Sequence, residues 1–404
     1  MSTLVRRALR GYLRTPWLHV VAGVAALAGA WCVIFGIPGL DEFNAYRIDV
    51  DVYRIGGRMI LDGQPLYGPV PLTEIGVELP FTYPPVAAVL FTVLALVPLP
   101  AAGTGLAIAS VAGFAAVLRL VVRDCFALRG RALWAATALA TALLVWIDPL
   151  RQTLDFGQIN ALLMLCIVVD VCAGRGRWWR GTWTGLAIAV KLTPAVFLAF
   201  FLLRRDWRAM AVTVGSTLAW TALGFLVRPA DSWQYWTEVL VDTDRIGHKG
   251  YTSNQALSGL LHRLVGPDVS TLWWFLGCTL VGLFVLALVH RLGDDEATAM
   301  VVLGLYALFA SPISWSHHWV WMGPAVVVVL AVALRGRSWA AWPWLVVALV
   351  TLWSAPQWWW PYEGDAGYHW VWYQDLLGHT WMWLLLASYA ILWIEAGRRR
   401  AVAH

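Results

Sequence analysis

The chain is a succession of long apolar stretches parted by short polar ones, and the stretches are continuous, with none of the alternation of a half-buried strand. An apolar run of about 20 residues is long enough to cross a bilayer as a helix. Such runs predict spans near 17–37, 132–147, 156–173, 206–227, 268–291, 297–316, 318–335, 339–356 and 376–396. Residues 84–100 form a shorter run between Tyr83-Pro84-Pro85 and Pro98-Leu99-Pro100, which reads either as a short span or as a re-entrant piece. Residues 181–203 have arginines at both ends, so a single crossing would break the alternation of sides. Two short helices meeting near 191–194 restore it, and Pro194 disrupts a helix at that point.

Composition agrees with this pattern. Of 404 residues, 60% are hydrophobic and 13% charged, enough apolar sequence for about a dozen spans. That excludes a soluble globular enzyme, a disordered chain and a nucleic-acid reader, and continuous runs argue against an outer-membrane barrel. The expected fold is an all-α polytopic membrane protein forming one membrane domain over 1–404. Its net charge of +5 comes from arginine, since Lys191 and Lys249 are the only lysines.

Arginines bunch at 6–14, 119–131, 175–180, 204–208, 335–337 and 398–400, and such clusters mark the cytoplasmic side. Residues 1–16 then form a cytoplasmic N-terminus, 17–37 a retained signal anchor and 397–404 a cytoplasmic tail. Four polar segments fall outside: 39–83, 148–155, 228–267 and the Trp-rich 357–375. Most of the 28 tryptophans suit interfacial belts. The five cysteines lack C-x-x-C spacing and read as buried thiols. Cytoplasmic loops are too short for a nucleotide-binding domain, and no Walker A or G-x-G-x-x-G pattern occurs.

Residues with candidate chemistry collect in the outer segments. Asp49-x-Asp51 lies beside Arg47, Arg54 and Arg58, which reads as a base with anion-binding cations or as solvated ion pairs in an interfacial loop. The D-x-D pattern also suits a metal-bound nucleotide sugar, but those substrates are cytoplasmic and this loop is not. His317 and His318 are adjacent in Ser311-Pro312-Ile-Ser314-Trp315-Ser316-His317-His318. Neighbouring residues on a helix point about 100° apart, and no third ligand follows at a useful spacing, so no metal site is expected. The pair is either hydrogen-bonded among tryptophans or engaged with a phosphate or sugar hydroxyl. Lys191, alone among apolar residues, needs a partner. A phosphate would serve, and so would carbonyls at a helix end. Gln158, Asn160, Asn254 and Gln255 carry amides that suit sugar hydroxyls, and amides also cap helices.

Seven pieces in order carry a resemblance. They are Asp49-x-x-Val52-Tyr53 with Gly56-Gly57, then Gly63-x-x-Leu66-Tyr67, then Phe81-Thr-Tyr83-Pro84-Pro85. Gly157-Gln158-x-Asn160, Lys191-Leu-Thr-Pro194, Asn254-Gln255-x-Leu257 and Ser311-Pro312-x-Ser314-Trp315-x-His317-His318 complete the set. Together they resemble the actinobacterial glycosyltransferases of family 87, above all the α-1,2-mannosyltransferases that act on phosphatidylinositol mannosides. The resemblance implies a GT-C fold in the plasma membrane with its active site on the extracytoplasmic (periplasmic) side. It implies inverting transfer of mannose from polyprenyl-phosphate mannose to a glycolipid, with the lipid-linked donor as co-substrate and no cofactor or metal.

Asp49 is then the general base, Asp51 its understudy, and His317 or His318 a supporting group. Arg54, Lys191 and Arg58 are expected at the departing phosphate; Tyr53, Gln158, Asn160, Asn254 and Gln255 are expected to line the substrate site. Membrane lipids are the surroundings, no nucleic acid is involved, and a monomer is expected. Two alternatives stay open: an arabinofuranosyltransferase using decaprenyl-phosphate arabinose, and a polyprenyl-phosphate flippase or transporter.

Overall fold

The computed structural model describes residues 7, 11–12, 14–36, 46–336, 338–364 and 366–403. The arginines at 6 and 10 and the start of the 39–83 segment lie outside the described residues. Every regular element described is helical; the one ladder contact is an isolated bridge between Asn254 and Trp315. In chain order the first helices are α1 (Pro16–Phe35), α2 (Ile48–Leu61), α3 (Pro85–Ala95), α4 (Leu99–Phe126), α5 (Gly130–Leu144) and α6 (Asp148–Phe156). Then come α7 (Asn160–Val168), α8 (Thr182–Val190), α9 (Phe197–Leu203), α10 (Trp207–Val227), α11 (Pro229–Gln234) and α12 (Leu257–Val265). The last are α13 (Thr271–Arg291), α14 (Glu296–Ala310), α15 (Met322–Arg335), α16 (Ala341–Ser354), α17 (Trp372–Gly378) and α18 (Thr380–Ala403).

Six of the described helices are long and apolar enough to cross a membrane: α1, α4, α10, α13, α15 with its preceding turn, and α18. α5 and α6 are long and apolar enough only when taken together, across a 76° bend. Five further apolar stretches are only 10–17 residues long. The bend arises at Pro149, which opens α6 where its missing N–H costs nothing but cannot continue α5. Residues 148–155 are thus a helix, where the sequence reading had a polar connection. The 39–83 segment is likewise no plain loop, because α2 fills its centre with an amphipathic helix.

Residues 181–203 fold as two short helices. α8 stops at Val190, Lys191 is extended (φ −150°, ψ 125°), and Pro194 sits in a 3-10 turn over Thr193–Val196 that leads into α9. Residues 84–100 resolve into α3, whose 11 residues are too few to cross a bilayer, and the start of α4 after Pro98. α3 packs along α2. Gly57 makes that approach possible, because a Cβ there would lie 2.7 Å from the Phe91 carbonyl oxygen. Tyr53 stacks on Phe91 at 4.3 Å between ring centroids.

Several inner helices run between the same two ends. α8 leaves Arg180 and ends at Lys191; α15 starts after His318 and ends at Arg335; α14 starts at Glu296 and ends at Ser311. At 1.5 Å per residue, those ends are about 15–22 Å apart. The arginine-bearing end is tied by Arg175 and Arg180 to Glu296 (both 2.9 Å), Arg180 to Asp206 (3.0 Å) and Arg399 to Asp295 (2.7 Å). The opposite end gathers the candidate chemistry.

Replacing Gly57 with valine should force α2 off α3 and lower stability by about 1–3 kcal/mol. Thermal unfolding in detergent would measure this, and an unchanged midpoint would contradict the packing described.

Candidate active site

The site is assembled at the ends of four elements: the first turn of α2, the link between α6 and α7, the break after α8, and the 3-10 turn before α15. Helical period sorts the residues of α2. Asp49 and Tyr53 are four apart and share a face, whereas Asp51 is turned about 200° away from Asp49. Asp51 Oδ2 accepts the Glu74 N–H at 2.7 Å and the Tyr46 hydroxyl at 3.4 Å, so this carboxylate fastens the loop after α2. It does not meet Asp49 in a shared D-x-D site.

Asp49 is half-buried, and its Oδ2 accepts Gln158 Nε2 at 2.7 Å. Gln158 Oε1 receives the Tyr53 hydroxyl (3.1 Å), the Tyr83 hydroxyl (3.3 Å) and Asn160 Nδ2 (3.4 Å). The two tyrosine hydroxyls are 3.0 Å apart. Gly157 allows this arrangement, because it terminates α6 in the left-handed region (φ 75°) and a Cβ would strike Val50 at 2.2 Å. Asn160 Oδ1 accepts Lys191 Nζ at 3.1 Å, and the same ammonium lies 3.1 Å from His318 Nε2. An ammonium only donates, so His318 Nε2 is the acceptor there and its proton sits on Nδ1.

His317 is 5% exposed, its ring edge-on to Phe156 (5.2 Å) and His318 (4.6 Å). Its carbonyl is held by Thr153 and Asn160, while neither ring nitrogen has a hydrogen-bond partner among the described residues. Burial pushes the Asp49 carboxyl up to about 6, against the opposing pull of the Gln158 hydrogen bond and the Lys191 charge. This is a connected set containing one carboxylate, one ammonium and two imidazoles. Such a set can accept a proton, hold an anion and bond to hydroxyls.

A family model, Glycosyltransferase family 87, matches residues 81–312. The chain belongs to glycosyltransferase family 87. A polyprenol-phosphate-mannose-dependent α-(1-2)-phosphatidylinositol mannoside mannosyltransferase of Mycobacterium tuberculosis is 39% identical, over 93% of this chain and 90% of its own. A polyprenol-phosphate-mannose-dependent α-(1-2)-phosphatidylinositol pentamannoside mannosyltransferase of Mycolicibacterium smegmatis is 36% identical, over 83% of this chain and 80% of its own. A crystal structure of ArnT from Cupriavidus metallidurans bound to undecaprenyl phosphate aligns at 16% identity with a TM-score of 0.41, covering 96% of this chain and 79% of that one.

As a family 87 glycosyltransferase, the protein places the sequence-selected residues unevenly. Asp49, Tyr53, Gln158, Asn160, Lys191, His317 and His318 come together. Arg54 does not join them as a phosphate ligand: Nε and Nη2 grip the Leu94 and Val97 carbonyls at 2.9–3.2 Å, capping the end of α3. Arg58 is exposed near the far end of α2, about 13 Å along the helix from Asp49.

Asn254 and Gln255 are fully buried and hydrogen-bonded within the protein. Asn254 Oδ1 accepts the Ser314 and Ala256 N–H groups, its Nδ2 reaches the Lys249 carbonyl, and the Gln255 N–H donates to the Ser314 carbonyl. They clamp the 228–267 segment to the turn that carries the histidines.

Two residues carry more of the site than the sequence suggested. Tyr83, quoted only within a motif, contributes its hydroxyl; Arg47, quoted only as a neighbouring cation, is buried against the Leu154 (2.6 Å) and Ile34 (3.1 Å) carbonyls and fixes the start of α2. Substituting Arg54 with Gln should lower the unfolding midpoint, at a cost of about 1–3 kcal/mol. KM for the glycosyl donor should stay unchanged in the folded fraction; a raised KM would restore Arg54 to the substrate site.

Proposed function

We propose that this protein transfers mannose from polyprenyl-phosphate mannose to a phosphatidylinositol mannoside, inverting the donor's β-linkage to give an α-1,2 product at the outer face of the plasma membrane. The observation that carries the reading is the convergence of Asp49 and Lys191 on one polar cluster, bridged by Gln158 and Asn160. The activities named for the family 87 relatives supply the donor and acceptor classes.

In this reading the Asp49 carboxylate takes the proton from the acceptor hydroxyl as its oxygen bonds to the anomeric carbon. The bond from that carbon to the phosphate oxygen breaks, and its electron pair leaves with the polyprenyl phosphate. Charge grows on the phosphate as the bond lengthens, so the Lys191 ammonium stabilises the transition state more than the ground state. His318, with its proton on Nδ1, and the unpartnered His317 ring are suited to sugar hydroxyls. With these groups the step needs no metal or cofactor. The arginine-rich end faces the cytoplasm by the positive-inside rule, which turns the cluster outward.

The test uses purified protein in nanodiscs with EDTA, no nucleotide sugar, labelled polyprenyl-phosphate mannose and a phosphatidylinositol mannoside. Wild type should transfer label, and Asp49→Asn should fall by at least about 100-fold. An ionised Asp49 is the active form, so wild-type kcat/KM should be lost as pH falls through about 6. Transfer by both proteins would remove Asp49 from the base role. Transfer only from decaprenyl-phosphate arabinose would replace the donor. Lipid translocation without any glycosidic product would replace the enzyme with a flippase.

A further inference from the structure

The hydrogen bonds between Lys191 and Asp49 have directions that their two ends dictate. An ammonium has donors only, so Asn160 turns its oxygen to Lys191 and its Nδ2 to the Gln158 oxygen and the His317 carbonyl. An ionised carboxylate only accepts, so Gln158 turns its nitrogen to Asp49. The tyrosines enforce the same choice. One hydroxyl donates to the other, which leaves one proton for Gln158 Oε1, and a flipped amide would offer that proton no acceptor. While Asp49 is ionised and Lys191 charged, neither amide can reverse without losing these bonds.

We propose that Gln158 and Asn160 form a one-way amide relay from Lys191 to Asp49. Gln158 is its positioning residue, tying Oδ2 so that Oδ1 of an ionised Asp49 is left for the acceptor hydroxyl. The inference rests on the reading of Asp49 as the base. It moves Gln158 and Asn160 from substrate contact, expected from the sequence, to control of the base. The groups acting on Asp49 besides Gln158 are Lys191 from the break after α8, Tyr53 from α2 and Tyr83 from the segment before α3, with His318 and His317 beyond Lys191. All of them remain in a Gln158 variant, so a moved pH limb reports the lost hydrogen bond. Removing a donor from a carboxylate favours its neutral form, so the limb moves upward.

The experiment compares wild type, Asp49→Asn, Gln158→Leu, Gln158→Glu, Asn160→Leu and the double Leu variant. Each is reconstituted in nanodiscs and checked for a retained unfolding midpoint, and kcat and KM are measured across pH. Gln158→Leu should lose kcat on the order of 100-fold with KM for both substrates unchanged. Its acid limb should rise by about one pH unit. Gln158→Glu, nearly the same shape, should raise the limb further because two carboxylates then compete for a proton. The double variant should be little worse than either single one, as expected for one chain of bonds.

An unmoved limb in both Gln158 variants would overturn the relay, as would a rise in KM with kcat intact, which marks a substrate contact. If Asp49→Asn stays active, the base reading falls and the relay falls with it. If Asp49→Asn is inactive while the Gln158 variants behave like wild type, the relay alone falls.

Discussion

A buried ammonium in a helical membrane protein must be satisfied by groups that the surrounding helices release from their own hydrogen bonding. Lys191 sets that constraint here. It lies where α8 ends and an extended residue precedes a proline turn, so the chain can deliver it to Asn160 and His318. Asn160 begins α7 immediately after the Gly157 turn, and His318 lies in the irregular turn before α15. Three departures from regular helix thus meet at one cation. α2 brings the carboxylate from the other side, with its entry pinned by Arg47.

The lengths of the helices set where the site lies. Full-length spans such as α4, α10 and α13 run 21–28 residues, while α14 and α15, which reach the polar cluster, have 15 and 14. Helices of 15 and 14 residues rise about 21–23 Å, and α15 reaches full span length only together with the Ser316–Trp321 turn, so the histidines lie in the end turn of that span. The segments beyond cover the cluster. Arg263 on α12 does much of this work, donating to the Gly250, Tyr251 and Asn254 carbonyls and to His379, which links the 228–267 segment to the start of α18. A cluster at the ends of membrane helices beneath such a cover suits substrates that arrive within the bilayer, as both would in the proposed reaction.

The sequence disclosed what depends on composition and local order. Continuous apolar runs mark α1, α10, α13, α15 and α18 but miss α4, the longest span, and give full length to the shorter α14 and α16. Pro194 marks the break at Lys191, and arginine runs the end where Arg175, Arg180 and Arg399 pair with Glu296, Asp206 and Asp295. The ordered motifs pointed to the family that the matches establish. What it could not disclose is orientation and pairing. Asp49 and Asp51 look equivalent as letters and differ by 200° only once α2 is helical. Arg54 looks like an anion ligand until α3 presents its carbonyls. Asn254 and Gln255 look like sugar contacts until Ser314 packs beside them. Asp51, Arg54 and Asn254 each put a polar side-chain atom on a backbone group distant in sequence, and no spacing rule encodes that meeting.

The same geometry bears on why the cation and the carboxylate are joined through amides and not directly. A direct Lys191–Asp49 ion pair would satisfy both charges, and it would hold the carboxyl low, leaving a weak base. It would also turn the ammonium toward the aspartate and away from any phosphate. Placing Asn160 and Gln158 between them gives the ammonium and the carboxylate hydrogen-bond partners without direct contact, and burial then raises the Asp49 carboxyl to about 6 against the Gln158 hydrogen bond and the Lys191 charge. A base with that affinity for a proton is ionised at neutral pH yet stronger than an ordinary carboxylate. In the proposed reaction the amides would let one cluster supply a base and a separately directed cation, the two groups that a transfer between an alcohol and a glycosyl phosphate calls on.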